Sequence, residues 1–136
     1  MTNGERADRL FADALPVAEE MRAATARQRW NLALRRSQEV IELVIKALLN
    51  ELGVESPRVH DPVPFFVTAI RARRLEIDSA FLEWLSEVSA RLAQERAPAF
   101  YQEIDVTESE ARETGRAAER VLEFGQELLR RLRSRA

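Results

Sequence analysis

The sequence predicts an all-α protein, an up-and-down bundle of four to five helices built as a single domain over residues 1–136. Apolar residues recur at intervals of three and four over long stretches, and no stretch alternates with the period of two that marks a half-buried strand. With only 4 Gly and 5 Pro, the chain has few turn points, which favours a few long elements. Its 46% hydrophobic and 32% charged residues are typical of a chain that buries a core.

The first helix is predicted to begin at Thr2, because Thr2 and Glu5 have the spacing of a capping box. Its apolar positions are spaced by four, three and four residues: Leu10, Ala14, Val17 and Met21. Pro16 lies within this stripe and lacks a backbone donor, so we expect a kink or a break near residues 11–15.

The second helix is predicted over residues 28–52, and Gly53 ends it because glycine adopts positive φ freely. One apolar stripe comprises Trp30, Leu34, Ile41, Val44, Leu48 and Leu52, and Val40, Leu43 and Ala47 widen it. An apolar face this broad indicates a helix with neighbours on two sides, at the centre of the bundle.

The third helix is predicted to start at Asp61-Pro62 and to end in a basic turn formed by Arg71, Arg73 and Arg74. The fourth follows Asp78 or Ser79, and we expect Pro98 to end it. Its apolar face contains Phe81, Leu85, Val88 and Leu92.

The fifth helix is predicted to open with a second capping box, formed by Thr107 and Glu110. Its inner face alternates steps of three and four, with small residues in its first half: Ala111, Thr114, Ala118, Val121, Gly125, Leu128 and Leu132. Small residues at these positions let a neighbouring helix approach closely.

Composition excludes several classes of site. The chain has no Cys and one His, so disulfides, thiolate nucleophiles and multi-histidine metal sites are excluded, and we expect neither a metal nor a cofactor. The net charge of −2 gives no general attraction to nucleic acid. The longest apolar run, residues 40–49, is interrupted by Glu42 and Lys46, so we expect a cytoplasmic protein without a membrane segment.

Few residues have the chemistry of a site. His60 stands just before a helix, and its ring is expected to hydrogen-bond backbone or Asp61; with Arg58 it is the only candidate for catalysis. Ser37 and Gln38 interrupt the apolar surface of the second helix and predict a hydrogen-bond network with Glu42. The alternative for these two residues is a ligand pocket between helices.

The second helix and the loop after it contain a pattern of ten residues: Ser37, Gln38, Glu42, Lys46, Ala47, Leu48, Gly53, Pro57, His60 and Asp61. The pattern reads as a Ser/Ala-Gln-x-x-x-Glu-x-x-x-Lys-Ala-Leu helix, a Gly, a Pro and then His-Asp. In this it resembles the HEPN family of small prokaryotic proteins, whose members show the same motif. An aromatic pair at residues 100–101, followed by a Thr-x-x-Glu helix that carries Val-Leu-Glu-Phe at 121–124, also agrees.

This resemblance implies a helical bundle, often a homodimer, commonly paired with a minimal nucleotidyltransferase in a toxin–antitoxin-like system. Active relatives resemble metal-independent ribonucleases, with an Arg followed after four to six residues by a His near the end of the fourth helix. The resemblance and the polar residues together give the ligand-binding candidates, which are Ser37, Gln38, Glu42, Lys46, His60, Asp61 and Tyr101. Some relatives carry a Tyr near their site that the partner enzyme modifies.

The ribonuclease motif is absent here, because neither Arg91 nor Arg96 is followed by His at that spacing. We therefore expect a non-catalytic binding partner of a nucleotide, of a minimal nucleotidyltransferase, or of both. Two alternatives stay open. One is a ribonuclease toxin with a divergent Arg/His site, and the other is a purely structural interaction module.

Overall fold

The computed structural model describes residues 1–100 and 105–135, except for the side chains of 97–100, and this part of the chain contains five helices and no strand. In chain order they are α1 (Asn3–Ala26), α2 (Trp30–Glu51), α3 (Val63–Ala72), α4 (Ser79–Phe100) and α5 (Glu108–Ser134). The predicted all-α bundle is confirmed. No described helix combines the length and the apolar character needed to cross a membrane.

Threonine side chains cap the N-termini of α1 and α5, as the two capping-box patterns predicted. The Thr2 hydroxyl accepts a hydrogen bond from the backbone N–H of Glu5, and the Thr107 hydroxyl accepts one from Glu110, each at 3.1 Å. Each bond satisfies a donor that the first turn of a helix otherwise leaves unpaired. Gly53, with φ of +80°, follows α2 as predicted.

α2 begins at Trp30, two residues later than the sequence predicted, because a turn separates it from α1. Gln28 adopts φ of +60° and lies outside both helices. The N–H of Arg29 bonds the carbonyl of Ala24 at 2.9 Å across this left-handed residue. This bond satisfies a carbonyl at the end of α1, so Gln28 takes the position that glycine usually fills.

Neither internal proline ends its helix. The prediction was a kink or a break at Pro16, and the break does not occur, since α1 continues through this residue. Pro16 and Ala12, whose carbonyl loses its partner, both lie on the exposed face of α1, where water can bind that carbonyl. α4 likewise continues past Pro98 to Phe100, contrary to the prediction, because a proline in the last turn removes only one backbone donor.

α2 is the centre of the bundle, as its broad apolar face predicted, since it packs against each of the other four helices. Its fully buried side chains include Ile45, Leu48 and Leu49. The inner face predicted for α5 is buried from Ala111 to Leu128, and only Leu132 is half-exposed. Core burial of this extent is the main favourable contribution to folding.

The buried face of α1 is offset from the predicted one. Ala14 and Met21 are buried as expected, but Leu10 and Val17 are only half-buried. Instead the core takes small residues and one aromatic: Ala7, Phe11, Ala18 and Ala24. Alanine positions allow the α1 and α2 backbones to approach closely, so shape rather than hydrophobicity decides which face is buried.

Arg133 joins the ends of three helices. Its guanidinium hydrogen-bonds Glu51 of α2 at 3.0 Å, the carbonyl of Gly4 in α1 at 3.2 Å, and pairs with Asp8 of α1 at 2.9 Å. The bonds to Glu51, and then that to Asp8, raise the pKa of Arg133 above its ordinary value. A raised pKa keeps the guanidinium charged throughout neutral pH, and the stabilisation that this charge provides is lost as the pH rises into strong alkali.

We expect Arg133→Met to lower the free energy of unfolding by about 1 kcal/mol at low salt, and by less in 1 M NaCl, because a half-exposed network is screened. Urea denaturation at both salt concentrations measures this. Arg135→Met is the matched control. Arg135 is exposed, lies two residues after Arg133 and has no ion pair among the described residues. Equal effects from both substitutions would contradict a specific role for Arg133.

Candidate functional site

The polar side of α2 carries the first two residues of the site. Glu42 and Lys46 lie one turn apart, and the Lys46 ammonium donates to the Glu42 carboxylate at 3.3 Å. Both side chains are largely covered, with 20% and 17% of their surface exposed. Charged groups this well covered are rarely left without a function in binding or structure.

The loop between α2 and α3 folds back over this side of α2. The Ser56 hydroxyl donates to the backbone carbonyl of Lys46 at 3.2 Å, which fixes the middle of the loop against the helix. The loop then places the His60 ring beside Glu42, with Nδ1 at 2.9 Å from Oε1. His60 thus contacts a residue eighteen positions earlier.

The other ring nitrogen of His60 faces α4. Its Nε2 lies 2.8 Å from Nη1 of Arg96. A guanidinium can only donate, so in this contact Nε2 is the acceptor, and Nδ1 is then the ring nitrogen that donates to Glu42. We call Glu42, Lys46, His60 and Arg96 the His60 cluster.

Asp61 fastens the loop beside the cluster. Its Oδ1 accepts from the Ser89 hydroxyl of α4 at 2.7 Å and from the backbone N–H of Val63 at 3.3 Å. The second bond satisfies a backbone donor in the first turn of α3, which begins at Val63 with Pro62 as its N-cap, so the helix starts later than the predicted Asp61-Pro62. Loop, α2 and α4 are therefore held together by side-chain hydrogen bonds, which preorganises the cluster.

The arrangement is suited to an anion. Arg96 is the cation that no carboxylate pairs among the described residues, since Lys46 pairs with Glu42 and Asp61 is bonded to Ser89, while half of the His60 side chain remains exposed. A guanidinium that spends one N–H on the ring keeps four for a ligand, and its fork matches the oxygens of a phosphate. Among the described residues, no group of three or more His, Asp or Glu side chains could hold a metal ion.

Two sequence expectations for this region are corrected. His60 contacts Glu42 and Arg96 rather than backbone or Asp61, because Asp61 is committed to Ser89 and α3. The network of Ser37 and Gln38 with Glu42 does not form.

Ser37 instead donates to the carbonyl of Ala33 one turn earlier, at 2.8 Å. Only 3% of the surface of Gln38 is exposed, and its amide has no hydrogen-bond partner among the described residues. Both side chains lie in the interior, whereas Glu42 turns toward the loop. The prediction that these residues bind a ligand stays a prediction.

Two candidates from the sequence remain, Arg58 and Tyr101. Arg58 is exposed on the loop and makes no described side-chain hydrogen bond or ion pair. Tyr101 lies outside the described residues. Sequence reasoning missed Arg96 and Ser89 as site residues, since Arg96 was considered only as the start of a motif running downstream, and its histidine partner lies 36 residues upstream.

A family model described as a HEPN domain matches residues 7–129, a span that contains the whole His60 cluster. The chain belongs to the HEPN-domain family. No match was found among curated proteins or among solved structures. The resemblance drawn from the second helix and its His-Asp loop is thus confirmed at the level of the family. Any finer conclusion has to rest on the His60 cluster.

Proposed function

We propose that this HEPN-domain protein is a non-catalytic binding partner that holds the phosphate of a nucleotide at the His60 cluster. The observation that carries the proposal is the Arg96 guanidinium, which is exposed, contacts the His60 ring and forms no ion pair among the described residues. A cation held in place by a neighbouring ring binds phosphate oxygens more strongly than a mobile surface charge does.

The same contact favours binding over catalysis. A histidine that removes the proton of a ribose hydroxyl needs a free lone pair, and the Nε2 lone pair of His60 accepts from Arg96 instead. In this arrangement the ring serves to orient the guanidinium.

The resemblance supports a minimal nucleotidyltransferase as the protein that presents or receives the nucleotide, in a toxin–antitoxin-like pair, and a homodimer as the state of this chain. HEPN domains commonly dimerise, which supports the second point. Light scattering on the purified protein, alone and mixed with the candidate enzyme, tests both parts.

We expect the protein to bind a fluorescent ATP analogue without added metal, and Arg96→Ala to weaken that binding about tenfold or more. The physical reason is the loss of charge-assisted hydrogen bonds, each worth about 1.5–3 kcal/mol where a tenfold change is about 1.4 kcal/mol. Fluorescence anisotropy gives the dissociation constants.

Arg91→Ala is the matched control, because Arg91 is an exposed arginine of the same helix that makes no described ion pair. Equal affinities for the Arg96→Ala and unsubstituted proteins, or no binding of the analogue at all, would contradict the proposal. Circular dichroism confirms that each variant is folded.

A second function, ribonuclease activity, is favoured by one observation. The Glu42 carboxylate orients the His60 ring as the carboxylate partner of a general base does, and an arginine lies within 2.8 Å of that ring. The fold thus brings together an Arg and a His that are too far apart in sequence to form the family's ribonuclease motif.

RNA incubated with metal-free protein in chelator decides between the two. Cleavage that disappears in both His60→Ala and Glu42→Gln would replace the binding proposal with the enzymatic one. Intact RNA together with Arg96-dependent nucleotide binding supports the binding role.

A further inference from the structure

A groove of about 510 Å³ runs between the second half of α1 and the first half of α5, and it shares no lining residue with the His60 cluster. Met21 and Thr25 of α1 form one side. Gly115 of α5 leaves the centre open because it has no side chain. Neither the family resemblance nor the proposed nucleotide site assigns a role to this surface.

Arginines dominate the groove. Three of them follow one another on α5 at intervals of one turn: Arg112, Arg116 and Arg120. Neighbours four apart on a helix have Cβ atoms about 5–6 Å apart, so the row extends about 12 Å along α5. We call these three residues the arginine row.

Two members of the row are held in place by tryptophans. The Arg120 guanidinium lies 4.3 Å from the centre of the Trp84 ring, and that of Arg112 lies 5.3 Å from Trp30. Stacking restrains a guanidinium in a fixed plane and leaves its N–H groups directed outward. A restrained arginine loses less entropy when it binds a carboxylate, and Arg and Trp are frequent hot spots of protein interfaces.

The row also has unused charge. Arg116 and Arg120 form no ion pair and donate no side-chain hydrogen bond within the described residues, whereas Arg112 pairs with Glu108 at 2.8 Å. A contact between the two walls, from Arg22 of α1 to Glu119 of α5, neutralises one further pair of charges through two hydrogen bonds of 2.9 and 3.0 Å. The groove therefore presents an excess of positive charge on a chain whose net charge is −2.

We propose that this groove is a docking site for a helical segment of a partner protein that carries carboxylates four residues apart. Such a helix repeats its acids at the same interval as Arg116 and Arg120, so both carboxylates can be bound at once. The guanidinium fork favours carboxylates in a planar, two-bond geometry.

Nucleic acid fits the same groove less well. Glutamates interleave with the arginine row on α5, and Glu123 lines the groove without an ion pair among the described residues. A nucleic-acid strand carries a negative charge at every phosphate, so the groove glutamates would repel it. A peptide helix whose acidic residues are four apart can place its carboxylates away from these glutamates.

The test uses a labelled, alanine-based peptide of about 16 residues, long enough to form helix, with two glutamate pairs four apart. We expect saturable binding, with a dissociation constant below about 1 mM by fluorescence anisotropy. The double variant Arg116→Glu/Arg120→Glu should weaken binding about tenfold or more, because it reverses both charges. The same peptide with glutamines in place of the glutamates should not bind.

Two variants make the result specific. Arg6→Glu/Arg9→Glu changes the net charge equally on an exposed part of α1 outside the groove, and binding should be unchanged. Gly115→Phe should block the groove without altering charge. A Cβ at Gly115 is tolerated, since its nearest neighbour would be the Ser37 hydroxyl at an ordinary 4.0 Å, and circular dichroism confirms that the variant carrying the larger phenyl ring is folded.

Absence of saturable binding, equal loss in both charge variants, or full binding by Gly115→Phe would each overturn the proposal. So would tighter, row-dependent binding of a uridine oligonucleotide than of the peptide, which would assign the groove to nucleic acid. Binding of the ATP analogue by Arg116→Glu/Arg120→Glu should be unaffected, which separates this result from that at the His60 cluster.

Discussion

Gly125→Ala should destabilise the bundle by about 1–3 kcal/mol, although alanine is the better helix former. A Cβ built at Gly125 would collide with Cγ1 of Val44 on α2 and would lie 3.1 Å from the Phe11 ring on α1. α1, α2 and α5 meet at this point, so there is no solvent into which a neighbour could shift. Overpacking of a closed core costs about this much.

The gain in helix propensity opposes this steric cost and is smaller. Replacing glycine by alanine within a helix gains about 0.8–1 kcal/mol of helix propensity. Val44 is fully buried and β-branched, so it has essentially one rotamer available on a helix and cannot turn away. The steric cost should therefore exceed the gain.

Gly115→Ala is the matched control on the same helix. Its Cβ would have only the Ser37 hydroxyl nearby, at 4.0 Å, so propensity should act alone and raise the free energy of unfolding by up to about 1 kcal/mol. Urea denaturation of both variants measures the difference. Equal stabilisation by both substitutions would contradict the close packing at Gly125.

A double-mutant cycle identifies the colliding group. Val44→Ala removes the Cγ1 atom that the new Cβ would meet, so Gly125→Ala should cost less in that background than alone. Direct contacts of this kind show coupling of about 0.5–3 kcal/mol. Additive effects would mean that the cost arises from Phe11 or from the backbone.

The fold was largely predictable because its signals are local. A threonine three residues before a glutamate marks the start of α1 and of α5, and the hydroxyl of each makes the predicted backbone contact. The broad stripe of α2 likewise predicted its central place. Such features depend on residues within one or two turns of each other.

The buried face of α1 could not be predicted in the same way. Ranking by hydrophobicity favoured Leu10 and Val17, but the close approach of α2 selects Ala7 and Ala18. Which face a helix buries depends on the shape of its neighbour, and a periodicity does not contain that information.

The candidate site was predictable only in part. Glu42, Lys46 and His60 lie close enough in sequence for a family resemblance to group them, and the structure places them together. Arg96 joins them only because α4 packs across α2, which no spacing along the chain expresses.

Gln38→Met should raise the free energy of unfolding by about 1–3 kcal/mol. Gln38 is only 3% exposed, and both its amide oxygen and its amide nitrogen lack a hydrogen-bond partner among the described residues. A buried polar group without a partner costs about this much relative to an apolar group of the same shape. Methionine has a similar length and fills irregular space well.

Ser37→Ala is the neighbouring control. The Ser37 hydroxyl is fully buried but already bonded to the carbonyl of Ala33, so its removal exchanges a weak local bond for better helix propensity. We expect a change within about 0.5 kcal/mol in urea denaturation. A loss of stability in Gln38→Met would show that the amide is hydrogen-bonded in solution.

Gln38→Met also tests whether the buried amide, which lacks a hydrogen-bond partner, has a function. Residues kept at a cost in stability often serve a function, and Gln38 belongs to the motif that links this chain to HEPN domains. A variant that is more stable but binds the ATP analogue more weakly would give Gln38 a part in ligand binding, by way of α2. A variant that is more stable and binds equally well would limit the site to the His60 cluster, since the helix that carries Glu42 and Lys46 would be unaffected by the loss of the amide.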